Sequence, residues 1–156
     1  MLKETERIED QLKRAFHGEA WHGPSVKEAV AGVSPEAAAQ RPVKEAHSIW
    51  ELVHHITAWV DIVRRRVQGE VFDVTDDMNF PPVTDTAQTA WQESLRRMEA
   101  AETELRRIIL GLPESRLDQP ALEGSPTVYI LLHGAIQHSL YHAGQIVLLK
   151  KAVDKG

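Results

Sequence analysis

The chain has 156 residues, no cysteine and a formal net charge of −5, and 42% of its residues are hydrophobic while 26% are charged. This length and composition predict one globular domain, residues 1–156, that is large enough to bury a core of its own. The acidic balance argues against a nucleic-acid partner, and the absence of cysteine excludes disulfides and thiolate metal ligands.

The first predicted element is an amphipathic helix over about residues 2–18, in which Ile8, Leu12 and Phe16 share one face. Its charged sequence lacks the apolar segment of a signal peptide, and no apolar run in the chain is long enough to cross a bilayer. Together with the absence of cysteine, these features predict a cytoplasmic protein with no membrane partner.

Short helical segments follow and lead to a second long helix. Residues 25–28 form a capping box that opens one short turn, and the Ser-Pro-Glu sequence of residues 34–36 opens another. Ser48 and Glu51 form a further capping box, which predicts a long helix from there to about Gln68.

A long crossover loop and the third long helix come next. Residues 70–84 have no helical period and contain two consecutive prolines, so this segment is predicted to be a loop. Asp85 is the predicted N-cap of the third helix, whose apolar positions continue to Leu112 before Pro113 ends it.

The last predicted helix begins with Ser125 as N-cap and continues to about Lys150. Its apolar residues recur at spacings of three and four, and His138 and His142 lie on this stripe, whereas His133 points away from it. Two imidazoles one turn apart can reach one metal ion. The same spacing also arises by chance, and it fits a pair of core histidines that are hydrogen-bonded to their neighbours.

The second long helix offers a third histidine. His54 and His55 are adjacent, and on a helical wheel His55 lies at the edge of the apolar stripe while His54 lies on the opposite side. With His138 and His142, His55 completes a three-nitrogen set, which in metalloenzymes leaves one position open for water or substrate. Glu51, one turn before His55, could accept the second N–H of that ring, although its capping-box role competes with this one.

No stretch of the chain alternates as a β-strand does, so the predicted fold is all-α: a four-helix bundle with short helical insertions and a long crossover loop between helices two and three. A ferritin-like di-iron site is excluded because the last helix has no acidic residue between Val128 and Lys150. A GxSxG nucleophile motif is also absent.

Three segments in the same order resemble the DinB/YfiT-like superfamily of four-helix-bundle metalloproteins: AWHGPSV at 20–26, AHSIWELVHHITAW at 46–59 and HSLYHAGQI at 138–146. The resemblance implies a divalent metal ion, zinc or nickel being the first candidates. It also implies, from some relatives, a transferase or isomerase reaction that uses a low-molecular-weight thiol.

The same resemblance implies that one histidine of the second long helix and the HxxxH pair of the last helix bind the metal. In this sequence those positions are His55, His138 and His142, the set chosen from the helical wheel. His22 and His47 lie within the resembling segments, but neither is placed at the metal, and structural roles are expected for both.

The expected function is therefore metal-dependent transfer of an exogenous low-molecular-weight thiol, in which a metal-activated thiolate attacks a small electrophilic substrate. The thiol must come from outside because the chain has no cysteine. Trp59, Gln145 and Glu51 are candidate pocket residues; alternatively Trp59 belongs to the core and Gln145 to the surface. A metal-dependent hydrolase that uses metal-bound water is the first alternative, and a non-catalytic dimeric binding or stress-response module is the second.

A second apolar strip on the last helix is a candidate surface for contact between two copies of the chain. Ile130, Tyr141 and Leu148 lie on its far side, with Gly134 and Gly144 near them. This strip predicts a homodimer interface; the alternative is that it packs against the first helix or the linker within one chain.

Overall fold

A computed structural model describes residues 1–154 as an all-helical bundle, without a β-strand in that range. In chain order the helices are α1 (Glu4–His17), α2 (Val26–Val30), α3 (Pro35–Ala39), α4 (Ile49–Val67), α5 (Asp76–Asn79), α6 (Gln88–Gly111) and α7 (Val128–Val153), with a 3₁₀ turn at Glu114–Arg116. Helix α4 packs against α6 and α7, and α1 packs against the same two helices. The four long helices thus form the predicted bundle, with α2, α3 and α5 as short insertions. Within the described range, every helix is too short or too polar to cross a membrane.

Two predicted capping boxes are confirmed. At the start of α4, the Ser48 hydroxyl accepts the Glu51 N–H at 3.1 Å, and a Glu51 carboxylate oxygen accepts the Ser48 N–H at 2.7 Å. Ser25 and Glu28 make the same pair of hydrogen bonds at the start of α2. Each box satisfies backbone N–H groups that the first turn of a helix leaves without a partner.

Two other predicted helix starts are wrong by two residues each. The Asp85 carboxylate accepts the N–H of Ala87 at 2.9 Å, so it closes a turn before α6 begins at Gln88. The Ser125 hydroxyl accepts the Leu122 N–H at 2.7 Å, which holds that segment in a turn of its own. The chain then stays extended to Thr127, which is the N-cap of α7.

The crossover loop also contains one helical turn that the sequence pattern did not predict. Helix α5 has four residues, and its N-cap is Thr75, whose hydroxyl accepts the Met78 N–H at 3.2 Å. A single turn is too short to produce a periodic apolar pattern. It nevertheless matters, because its last residue, Asn79, approaches α4.

The core lies between the four long helices and is centred on large apolar side chains. Trp50 of α4 and Trp91 of α6 are buried with their ring centroids 5.0 Å apart. The Trp91 indole N–H donates to the carbonyl oxygen of Val33 at 2.9 Å. This bond ties the linker after α2 to the bundle, and it satisfies a donor that would otherwise be buried without a partner.

One polar cluster is buried between α1 and α6. Glu102 is fully buried, and a carboxylate oxygen lies 2.9 Å from Nε2 of His17, while Arg106 lies 3.5 Å from the other oxygen. Arg106 also pairs with Glu9 at 2.6 Å. Burial raises the pKa of Glu102 above its ordinary value, against the opposing effect of His17 and Arg106.

Candidate metal centre

Three histidines from two neighbouring helices point at one another. His55 is on α4, and His138 and His142 are one turn apart on α7; His55 and His142 are buried and His138 is half-buried. Nε2 of His138 lies 2.9 Å from Nε2 of His55 and 3.1 Å from Nε2 of His142. The three could hold a metal ion, because one ring nitrogen of each lies within 4.8 Å of the others.

Hydrogen bonds on the far side of two rings determine which nitrogen faces the centre. Nδ1 of His55 lies 2.6 Å from the carbonyl oxygen of Asn79, and Nδ1 of His142 lies 2.5 Å from the side-chain oxygen of Gln145. Both oxygens only accept hydrogen bonds, so each Nδ1 carries the proton and each Nε2 presents a lone pair.

With these tautomers, the three Nε2 atoms have too few protons to form a hydrogen bond at both short contacts. Nε2 of His138 lies between two lone pairs, and a neutral ring can donate to only one of them. One of the two short contacts is therefore unsatisfied unless a cation lies between the nitrogens. In a tetrahedral zinc site with bonds of about 2.0–2.1 Å the ligand nitrogens lie roughly 3.3 Å apart, and the two separations of 2.9 and 3.1 Å at His138 are close to that value. The donor set fits a divalent ion.

The same surroundings keep the three rings neutral. Burial, followed by the neighbouring His142 and His55, lowers the pKa of His138 to about 4. Burial is also the main cause that lowers the pKa of His55 and of His142, against the opposing hydrogen bonds to Asn79 and Gln145. Metal ions bind only the neutral form of imidazole, so near pH 7 the cluster is in the form that can coordinate.

The end of α5 covers the His55 side of the cluster. The Phe80 ring stacks on His55 with a centroid separation of 4.0 Å and on His47 at 3.8 Å. The side-chain oxygen of Asn79 accepts the indole N–H of Trp59 at 2.8 Å. Sequence reasoning missed Asn79 and Phe80, because they lie in a segment without a periodic pattern and no short motif identifies them.

Of the three candidate pocket residues, two lie beside the cluster. Trp59 is half-buried and lines a cavity next to His55 and His138, and Gln145 bonds His142. Glu51 does not accept the N–H of His55, because its carboxylate bonds Ser48 and Arg41 as part of the cap.

The remaining histidines named in the sequence lie outside the cluster. His22 is exposed, and Nδ1 of His47 lies 3.6 Å from the Glu51 carboxylate. His54 faces away from the cluster, as expected from the wheel: its Nδ1 lies 3.1 Å from the Pro81 carbonyl oxygen and its Nε2 lies 3.0 Å from the Ser94 hydroxyl. The two adjacent histidines of α4 thus contact successive parts of the same loop.

Two cavities border the cluster on different sides. One of about 480 Å³ lies between α4 and α7 and includes His55 and His138 in its wall. The other, of about 350 Å³, includes His142, His47 and Phe80. Cavities of this size accommodate small organic molecules, so the centre is accessible to more than water.

Comparison with curated proteins and with solved structures gives no match. The family model described as DinB superfamily matches residues 21–146, which include α4, most of α7 and all three clustered histidines. This match covers well over half of the chain and agrees with the all-helical bundle described above. The chain belongs to the DinB superfamily.

Proposed function

We propose that the protein binds one divalent ion, zinc or nickel, through Nε2 of His55, His138 and His142, and that it transfers a low-molecular-weight thiol to a small electrophile. The observation that carries this proposal is the convergence of three neutral imidazoles, two of which are held with a lone pair toward the centre. A divalent ion held there would supply positive charge that lowers the pKa of a coordinated thiol or water.

The transfer forms a carbon–sulfur bond and breaks the bond to a leaving group. The thiol loses its proton to solvent, the sulfur forms a C–S bond to the electrophilic carbon, and the leaving group departs with the electron pair of its own bond. The chain has no cysteine, so the sulfur must come from a second small molecule. His55, His138 and His142 would hold the ion with three ligands, which would leave it able to bind that molecule as well.

Other groups of the protein orient the ligands and cover one side of the cluster. Asn79 and Gln145 hold the rings of His55 and His142, and Phe80 covers one face of His55. Ligand rings fixed in this way bind a metal without first losing rotational freedom.

A metal-dependent hydrolase is the second candidate, because water can occupy the same position as a thiol. Product analysis separates the two functions. Thiol transfer requires added thiol and gives a product whose mass includes it, whereas hydrolysis proceeds without thiol and adds the elements of water.

The exposed face of α7 supports the proposal that the protein is a homodimer. Ile130, Tyr141 and Leu148 are 56%, 65% and 68% exposed, so the alternative that this strip packs against α1 or the linker is wrong. Helix α7 has no Asp, Glu, Lys or Arg between Val128 and Leu149, so no charge of its own opposes contact with a second copy along this face. A non-catalytic module would use the same interface, and it becomes the better interpretation if no metal binds.

Metal content tests the central claim. The protein is purified without a histidine tag, and its metal is measured by inductively coupled plasma mass spectrometry beside His55→Ala, His138→Ala and His133→Ala. His133 is on the same helix as His138 but outside the cluster, so it is the matched control. We expect about one equivalent in the wild type and in the control, and loss in the other two variants. No metal in the wild type after incubation with zinc, nickel or manganese would refute the proposal.

A further inference from the structure

The cavity between α4 and α7 differs from an ordinary surface cleft in its lining. It has a volume of about 480 Å³ and ends at His55 and His138. Apart from these two rings and Asn79, its wall consists of Trp59, Val63, Ile130, Leu131, Gly134 and Ala135. No acidic or basic side chain is among them, although charged residues make up 26% of the sequence.

Two hydrogen bonds already use polar groups of this wall. The indole N–H of Trp59 donates to the side-chain oxygen of Asn79, and the Asn79 carbonyl oxygen accepts from Nδ1 of His55. Against the apolar part of the wall, a charged group of a ligand would lose its hydration and gain no ion pair in return. An apolar group would gain contacts and lose ordered water.

We propose that this cavity binds an uncharged, largely apolar organic electrophile whose reacting carbon lies at the His55–His138 end. This inference rests on the proposed metal-dependent function and adds the class of substrate to it. The volume is in the range of cavities that enclose small organic ligands. The wall between α4 and α7 offers no Lys or Arg to pair with a phosphate or carboxylate group.

Gly134 gives a direct way to test the cavity. A Cβ atom added at Gly134 meets no other atom within 4 Å, so a leucine there has room to project into the space that Gly134 lines. Gly144 lies in the same helix with equally open surroundings and does not line this cavity. Replacement of either glycine by leucine favours the helix, so both variants are expected to fold.

The probe is N-phenyl-1-naphthylamine, an uncharged aromatic compound whose fluorescence increases in apolar surroundings. It is titrated into the zinc-loaded protein and into the same protein after chelation. We expect saturable binding of one probe per chain, at least tenfold weaker binding in Gly134→Leu, and less than twofold change in Gly144→Leu. Absence of saturable binding, or an equal loss in both variants, would overturn the proposal.

Displacement of the probe tests the charge preference. In the chelated protein, where no metal can attract a carboxylate, 2-methylnaphthalene should displace the probe at least tenfold more effectively than 2-naphthoate. Equal displacement by the two compounds would refute the substrate class. Metal content is measured on every sample, so that failure of the cavity proposal can be distinguished from failure of the metal-dependent function. A wild type that takes up zinc but binds no probe contradicts the cavity, whereas a wild type that binds the probe but takes up no zinc on loading supports the cavity and contradicts the metal-dependent function.

Discussion

Nδ1 of His55 lies 2.6 Å from the backbone carbonyl oxygen of Asn79, which joins α4 to the last residue of α5. The bond sets the tautomer of His55 and aims its Nε2 at His138 and His142. A residue of the crossover segment thus determines the orientation of a candidate metal ligand.

Asn79→Ala should weaken zinc binding by about tenfold, in line with the typical effect of losing an outer partner of a ligand. The substitution removes the side-chain acceptor for Trp59, one of the bonds that fix the residue whose backbone carbonyl holds His55. Competition with a chromophoric chelator measures the affinity. Val71→Ala is the control, because Val71 lies in the same loop and is exposed. Equal affinity of Asn79→Ala and the wild type would show that His55 keeps its orientation without the bond between Trp59 and the Asn79 side chain.

Gln145→Leu and Gln145→Glu should have opposite effects on metal affinity. Leucine removes the acceptor for Nδ1–H of His142, so zinc binding should fall by about tenfold. Glutamate keeps an acceptor and adds a negative charge, which makes the ring a better donor of electrons to the metal. The same chelator competition distinguishes them, and a similar loss in both variants would contradict an orienting role for Gln145.

Zinc should stabilise the fold by mass action. A ligand that binds only the folded state adds about 2.7 kcal/mol at a free concentration 100 times its dissociation constant. The melting temperature measured by circular dichroism should therefore rise with zinc in the wild type and in His133→Ala, but not in His138→Ala. A rise of equal size in His138→Ala would place the bound zinc outside the histidine cluster.

The fully buried Glu102 should make stability depend on pH. Its folded-state pKa is raised, so the folded protein holds this proton more tightly than the unfolded chain, and stability decreases as the pH rises above about 4.3, the ordinary value. In the Glu102→Gln variant, the amide that replaces the carboxyl group stays uncharged at every pH. The free energy of unfolding of this variant, relative to the wild type, should thus be higher at pH 7.5 than at pH 5 in urea denaturation.

Glu99→Gln is the control for that experiment. Glu99 is on the same helix, and its hydrogen bond to Lys27 lowers its pKa, so it is ionised in both states over this range. Its effect relative to the wild type should be the same at pH 5 and pH 7.5. A pH dependence of equal size in both variants would show that burial of Glu102 is not the cause.

The exposed face of α7 should control the oligomeric state. Tyr141→Asp places a charge in the middle of the apolar strip, where a two-fold dimer brings it close to its own copy. Sedimentation should show a dimer for the wild type and a monomer for the variant, with unchanged helical content. Gln119→Asp, a substitution of an exposed residue before α7, is the control and should remain a dimer. A wild type that stays monomeric at high concentration would contradict the interface.

The long helices were predictable because their signals are local. Ser48 and Glu51 identified the start of α4 from two residues three positions apart, and the helix forms there. Where local signals compete, the prediction was wrong: Ser125 resembles an N-cap, but its hydroxyl bonds Leu122 and the helix starts after Thr127.

The sequence by itself determined which histidines face inward, because spacings of three and four residues assign His55, His138 and His142 to helix faces before any partner helix is known. Only the tertiary structure decided what holds these rings. Asn79 is 24 residues from His55, and its carbonyl reaches that ring only because the crossover loop folds back on α4. The period of a helix is a property of consecutive residues, whereas a contact between a loop and a helix depends on how the whole chain packs.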